Sequence, residues 1–109
     1  MDEQALREAL LATARAINAA GINRGAAGNF SARWSDGFLI TPSGLAYDEI
    51  SAGDIVYVTP DGGWSGRYKP SSEWRFHRDI YGRHPVAGAV IHCHSPFAVA
   101  LACLRRDIP

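Results

Sequence analysis

The chain has 109 residues, 47% apolar and 20% charged, with eleven basic residues balanced by eleven acidic ones. This is the composition of an ordinary globular domain of at most one core; it does not indicate disorder, and no repeat or low-complexity tract occurs in it. Zero formal charge gives no electrostatic reason to expect nucleic acid or an anionic membrane as a partner, so any bound anion must meet a local site.

The N-terminal segment carries acids at its start, and Leu6, Leu10, Ala14 and Ile17 recur at helical spacing before Gly21. The pattern predicts an amphipathic helix from about Gln4, with no continuous apolar run that would make a signal peptide or a membrane span. Runs with strand character follow over Phe30 to Trp34 and Gly37 to Thr41, joined through Ser35-Asp36-Gly37, and these predict a hairpin. Ile55 to Thr59 reads as a third strand closed by the turn Pro60-Asp61-Gly62-Gly63. From Pro70 the period changes. Trp74, His77 and Tyr81 share one helical face, so a helix is expected from an N-cap at Ser72 to a point before Pro85. Ala87 to His94 reads as a buried strand, and Ser95-Pro96 as the N-cap and first position of a helix over Phe97 to Arg106. Cys93 and Cys103 both lie in apolar segments and read as buried, reduced thiols, which suits a cytoplasmic protein.

Chemistry collects near the end of that last strand. Side chains two apart on a strand face the same way, so His92 and His94 are neighbours, while Ile91 and Cys93 face the other side. Two imidazoles on one face can chelate a divalent metal such as zinc, given a third protein ligand and one open position. A pair of satisfied polar residues at a strand end is the competing explanation. Glu73, in the first turn of the preceding helix, can either complement the helix dipole or serve the same site. Ser71 and Ser72 add hydroxyls beside the free amides of that turn, which together can hold a phosphate. The turns Gly25-Ala26-Ala27-Gly28-Asn29 and Thr41-Pro42-Ser43-Gly44 can each present amides to an anion. Lys69 could act as a Schiff-base nucleophile, but before a proline in a polar turn it reads as solvated.

The ordered motifs GNFSAR, FLITPSG, DIVYV, KPSSEWRFH and GAVIHCHSPFAVA resemble the class II aldolase and adducin head family, over about Gly21 to Leu104. The resemblance implies a three-layer α/β/α sandwich around a mainly antiparallel sheet, and a zinc-dependent aldolase acting on a small ketose or its phosphate through a metal-stabilised enediolate. It implies zinc on His92 and His94. Glu73 is implied both to approach the metal and to act as the acid/base, which burial would tune by raising its pKa. Gly28, Asn29, Ser43, Gly44, Ser71 and Ser72 fall where relatives hold the substrate phosphate. Relatives form homotetramers with active sites between subunits.

Two departures qualify the match. Ala26-Ala27 stands where relatives commonly carry hydroxyl residues, which removes one contact to phosphate and leaves a non-phosphorylated substrate open. The family domain also continues past residue 109, and its third metal-binding histidine and a catalytic tyrosine lie in that further part. Residues 1–109 are therefore expected to be the N-terminal part of a single domain and to be inactive alone, with neither His77 nor His84 completing the metal site. Other metal-dependent members, namely dehydratases, decarboxylases and epimerases, and a non-catalytic adducin-like module remain as alternatives.

Overall fold

Five antiparallel strands form one sheet in the order β4-β3-β2-β1-β5. The strands are β1 (Asn29–Trp34), β2 (Gly37–Ile40), β3 (Val56–Val58), β4 (Trp64–Ser65) and β5 (Ala89–His92), in a computed structural model that describes residues 1–108. The helices are α1 (Glu3–Ala19), α2 (Trp74–Arg83) and α3 (Pro96–Cys103), and two short 3-10 turns span Tyr47–Glu49 and Ala52–Asp54.

Strand alternation divides the core in two. Phe30 and Ala32 of β1 and Leu39 of β2 face α1, where they pack with Leu10, Leu11, Ala14, Tyr47, Ile50 and Ile55. Phe38, Ile40, Val56, Val58 and Val90 face the opposite way and pack with Tyr81 of α2, flanked by Trp74 and Ile80. A helix layer thus covers each face, which is the three-layer α/β/α arrangement expected from the motifs.

Helix α1 begins where the acids predicted. Asp2 caps it by accepting from the amide of Ala5 at 2.7 Å, and Gly21 follows its end with a φ of +77°. The β1–β2 hairpin forms through Ser35 and Asp36, with Trp34 paired to Gly37. At Gly37 an added Cβ would run into the backbone carbonyl of Val58, so the chain passes too close for any side chain there.

Four expectations need correction. The cap of α2 is Glu73 rather than Ser72, and Ser71 instead turns its hydroxyl to the amide of Glu73 at 3.3 Å. The strand predicted over Ala87 to His94 is shorter and is an edge strand in which only Val90 is buried, because no strand among the described residues pairs with its outer side. Helix α3 ends at Cys103 and buries none of its residues, so Cys103 is an exposed thiol and Cys93 a half-buried one. Trp64 and Ser65 form a short strand absent from the sequence reading, paired to Val58 and Tyr57.

Candidate active site

Three loops meet at the α2 end of the sheet. Pro42 and Pro70 form an isolated bridge, the amide of Ser43 donates to Lys69 O, and the amide of Ser71 donates to Thr41 O, each at 3.0 Å. These bonds bring the Ser43–Gly44 turn against the start of α2. The glycine turn is fixed from the other side, where Tyr47 donates to the carbonyls of Ala27 and Gly28 at 3.2 and 3.0 Å. Asn23, buried and unremarked in the sequence reading, ties three segments together. Its amide nitrogen donates to Asn18 Oδ1 and Ala27 O, and its Oδ1 accepts from the backbone N–H of His94 at 2.9 Å.

The result is a cavity of about 170 Å³ lined by Ala26, Gly28, Asn29, Pro42, Ser43, Gly44, Ser71, Ser72, Glu73 and His94. All six residues expected at a phosphate lie on its wall, from sequence positions as far apart as Gly28 and Ser72. Ala26 has no side-chain polar group to offer an anion. Lys69 is exposed and lines a neighbouring cleft with Trp64, Trp74 and Arg75, away from Glu73.

Glu73 is the hub. Its Oε2 accepts from Asn29 Nδ2 at 3.1 Å and lies 2.6 Å from His92 Nδ1. The Asn29 amide, with lesser help from His92, holds its carboxyl below the usual carboxylate range against a smaller opposing effect of desolvation. The side chain is 44% exposed. Burial therefore does not raise this carboxyl as expected; it is ionised at neutral pH because hydrogen-bond donors outweigh partial desolvation.

The rings of His92 and His94 stack at a tilt with centroids 5.0 Å apart, the neighbourhood that the one-residue spacing predicts although His94 lies beyond β5. Cys93 packs on the α1 side. His77, by contrast, is buried beneath the site and bonded to Ser31 and Asn29, and His84 caps the far end of α2.

Two imidazoles and a carboxylate are the donor chemistry zinc takes. Among the described residues, however, no three His, Cys, Asp or Glu side chains form a group that closes on one ion. Glu73 engages Nδ1 of His92, an arrangement that orients a ligating imidazole and leaves its Nε2 free of that bond. The residues thus fit two positions of a metal site, with Glu73 behind one of them.

The family model of the class II aldolase and adducin N-terminal domain matches residues 8–109. A 5-methylthioribulose-1-phosphate/5-deoxyribulose-1-phosphate aldolase of Rhodospirillum rubrum is 52% identical over 96% of this chain and 48% of its own length. A 3-oxo-tetronate 4-phosphate decarboxylase of Escherichia coli is 39% identical over 94% of the chain and 49% of its own. The solved structure of an L-fuculose 1-phosphate aldolase superposes with a TM-score of 0.88 at 32% identity, covering 96% of this chain and 51% of that one. The chain spans about half the length of the relatives it matches.

Proposed function

Since the chain belongs to the class II aldolase and adducin N-terminal domain family, we propose that the protein is a metal-dependent aldolase that makes or breaks a carbon-carbon bond in a small ketose phosphate. The observation that carries this reading is the single cavity in which an ionised carboxylate and an imidazole stand opposite the hydroxyls and glycine turns of separate loops.

In this reading the phosphate lies against Ser43, Gly44, Ser71, Ser72, Gly28 and Asn29, near the N-terminus of α2, where hydroxyls and the helix dipole favour negative charge. His92 and His94 would hold a divalent ion, zinc by donor type, with a further protein donor. Such an ion supplies Lewis-acid stabilisation of the negative charge that bond cleavage leaves on a carbonyl oxygen. Glu73 carries the proton to and from the adjacent carbon. Its ionised state suits it as the base, and Asn29 and His92 fix its Oε2 in place. The same reading includes a homotetramer with sites between neighbouring subunits, which follows from the family, and a cytoplasmic location, which follows from the N-terminal segment and the two unpaired thiols.

The decarboxylase relative favours a second reading within the same machinery, because loss of carbon dioxide from a 3-oxo acid also leaves an enolate for the ion to stabilise. One experiment separates the two. The full-length protein, loaded with zinc, is given ketose 1-phosphates and a 3-oxo acid 4-phosphate in parallel. Aldehyde release from the former supports the aldolase, and carbon dioxide from the latter alone replaces it with the decarboxylase.

A further inference from the structure

Beneath Glu73 runs a line of buried polar groups of which only Asn29 has been given a role, at the phosphate; Ser31, His77 and Tyr81 have none. Tyr81 OH lies 2.7 Å from Ser31 Oγ, Ser31 Oγ lies 2.5 Å from His77 Nδ1, His77 Nε2 meets Asn29 Oδ1, and Asn29 Nδ2 reaches Glu73 Oε2 at 3.1 Å. His77 and Ser31 are fully buried, Asn29 and Tyr81 nearly so.

Donor and acceptor chemistry gives the line one direction. An ionised carboxylate only accepts, so the nitrogen of the Asn29 amide must face Glu73 and its oxygen must face His77. That oxygen only accepts, so His77 carries its proton on Nε2. Its Nδ1 is then an acceptor that takes the hydroxyl proton of Ser31, and the Ser31 oxygen accepts from Tyr81. Every donor points toward Glu73. No member can reverse without burying an unmatched group, which costs more than an ordinary hydrogen bond gains.

We propose that His77 is a positioning residue: as the neutral Nε2–H tautomer it locks the amide of Asn29, and through it the orientation of the Glu73 carboxylate over the cavity. The role assigned to Glu73 rests on the aldolase reading; the tautomer and the amide lock do not. The sequence spacing supports the arrangement, because His77 stands one helical turn after Glu73 and so reaches under it to β1.

The test uses the full-length zinc-loaded protein with His77→Asn and His77→Gln. A glutamine amide reaches the position of the imidazole Nε2 and can still donate to Asn29, whereas an asparagine amide reaches only the Nδ1 position. The expected result is a kcat about 10–100-fold lower in His77→Asn with KM little changed, the scale seen when supporting groups of an active site are lost. His77→Gln should recover a large part of that loss. In parallel, nitrogen-15 NMR should show the wild-type ring protonated on Nε2. The Asn29 side-chain amide protons should exchange slowly in wild type and His77→Gln, and fast in His77→Asn. A ring protonated on Nδ1, Asn29 protons insensitive to both substitutions, or equal kcat loss in both variants would overturn the proposal. A wild-type protein without aldol cleavage would strike the functional reading, and the NMR measurements would still decide the lock.

Discussion

Glu73 sits at the meeting point of two kinds of hydrogen bond, an amide from below and an imidazole from the side. Replacing it with glutamine preserves size and an acceptor for Asn29 but removes the base. We expect turnover to fall by about 10²–10⁴-fold, the usual contribution of a positioned acid/base, with the melting temperature little changed; unaltered turnover would move proton transfer to another group. The imidazoles give a second outcome, measured as zinc content. His92→Ala and His94→Ala should each lose most bound metal, and Cys93→Ala, whose side chain packs on the α1 side, should keep it. Equal content in all three would remove the metal from this pair. At this scale the cavity residues were legible from motifs, because glycines, serines and a His-x-His pair bear local signatures. Asn23 was not, nor were the bonds that join Ser31, His77 and Tyr81, although the last two were placed on one helical face. Their partners lie as far as 71 positions away, and no local spacing announces a buried asparagine that receives the amide of His94.

Between elements, the contact that sets the site is β5 against β1, with Asn29 paired to His92. Gly28 stands just before that pair with a φ of +73°, and a Cβ there would strike the carbonyl of His92 and the side chain of Asn23. Gly25 has a φ of +56° but open space around it. Gly25→Ala should therefore lose only the left-handed backbone cost of about 1–2 kcal/mol. Gly28→Ala should lose that and displace β5, giving a larger drop in melting temperature together with a fall in turnover; equal effects would mean that the approach of the two segments is slack. The packing of α2 on the sheet adds a pH dependence. Burial, with the nearby His92 charge, pushes the His77 imidazole down from 6.5 to about 4. Above pH 6.5 the ring is neutral in both folded and unfolded chains, and its contribution is complete. As pH falls from 6.5 toward 4 the unfolded chain takes up a proton that the folded one refuses, so stability declines, by roughly 3 kcal/mol in all. Denaturant unfolding at pH 7 and pH 5 should show about 2 kcal/mol of this loss in wild type and less in His77→Gln, and identical losses would refute it. Helix α1, the β1–β2 hairpin and β3 were legible because each has a sustained period. The two-residue β4 has none, and the α2 cap shifted to Glu73 because the Ser71 hydroxyl serves the amide of residue 73.

Taken as a whole, the molecule covers one face of its sheet with α1 and the other with α2, yet leaves the far end of the chain outside both cores. Phe97 is 85% exposed, Leu104 68% and Ile91 51%, and among the described residues the outer edge of β5 is unpaired. The apolar character of these segments was legible, but the burial expected of the β5 strand and of Cys103 is not found, since an apolar run signals a need for cover without saying what provides it. Scattered exposed apolar residues are common on soluble proteins, whereas an apolar helix beside an open strand edge invites both hydrophobic contact and strand pairing. Residues 1–109 produced alone should therefore self-associate, with sedimentation coefficients that rise with concentration. Phe97→Asn combined with Leu104→Lys should weaken the association, because both side chains project from the exposed end without contributing to either core. The same preparation, with two imidazoles and no third donor closing on an ion among the described residues, should bind zinc weakly and show no aldol cleavage. A monodisperse monomer with stoichiometric zinc and activity would contradict both expectations and would mean that α3 and the edge of β5 are stable in water as they stand.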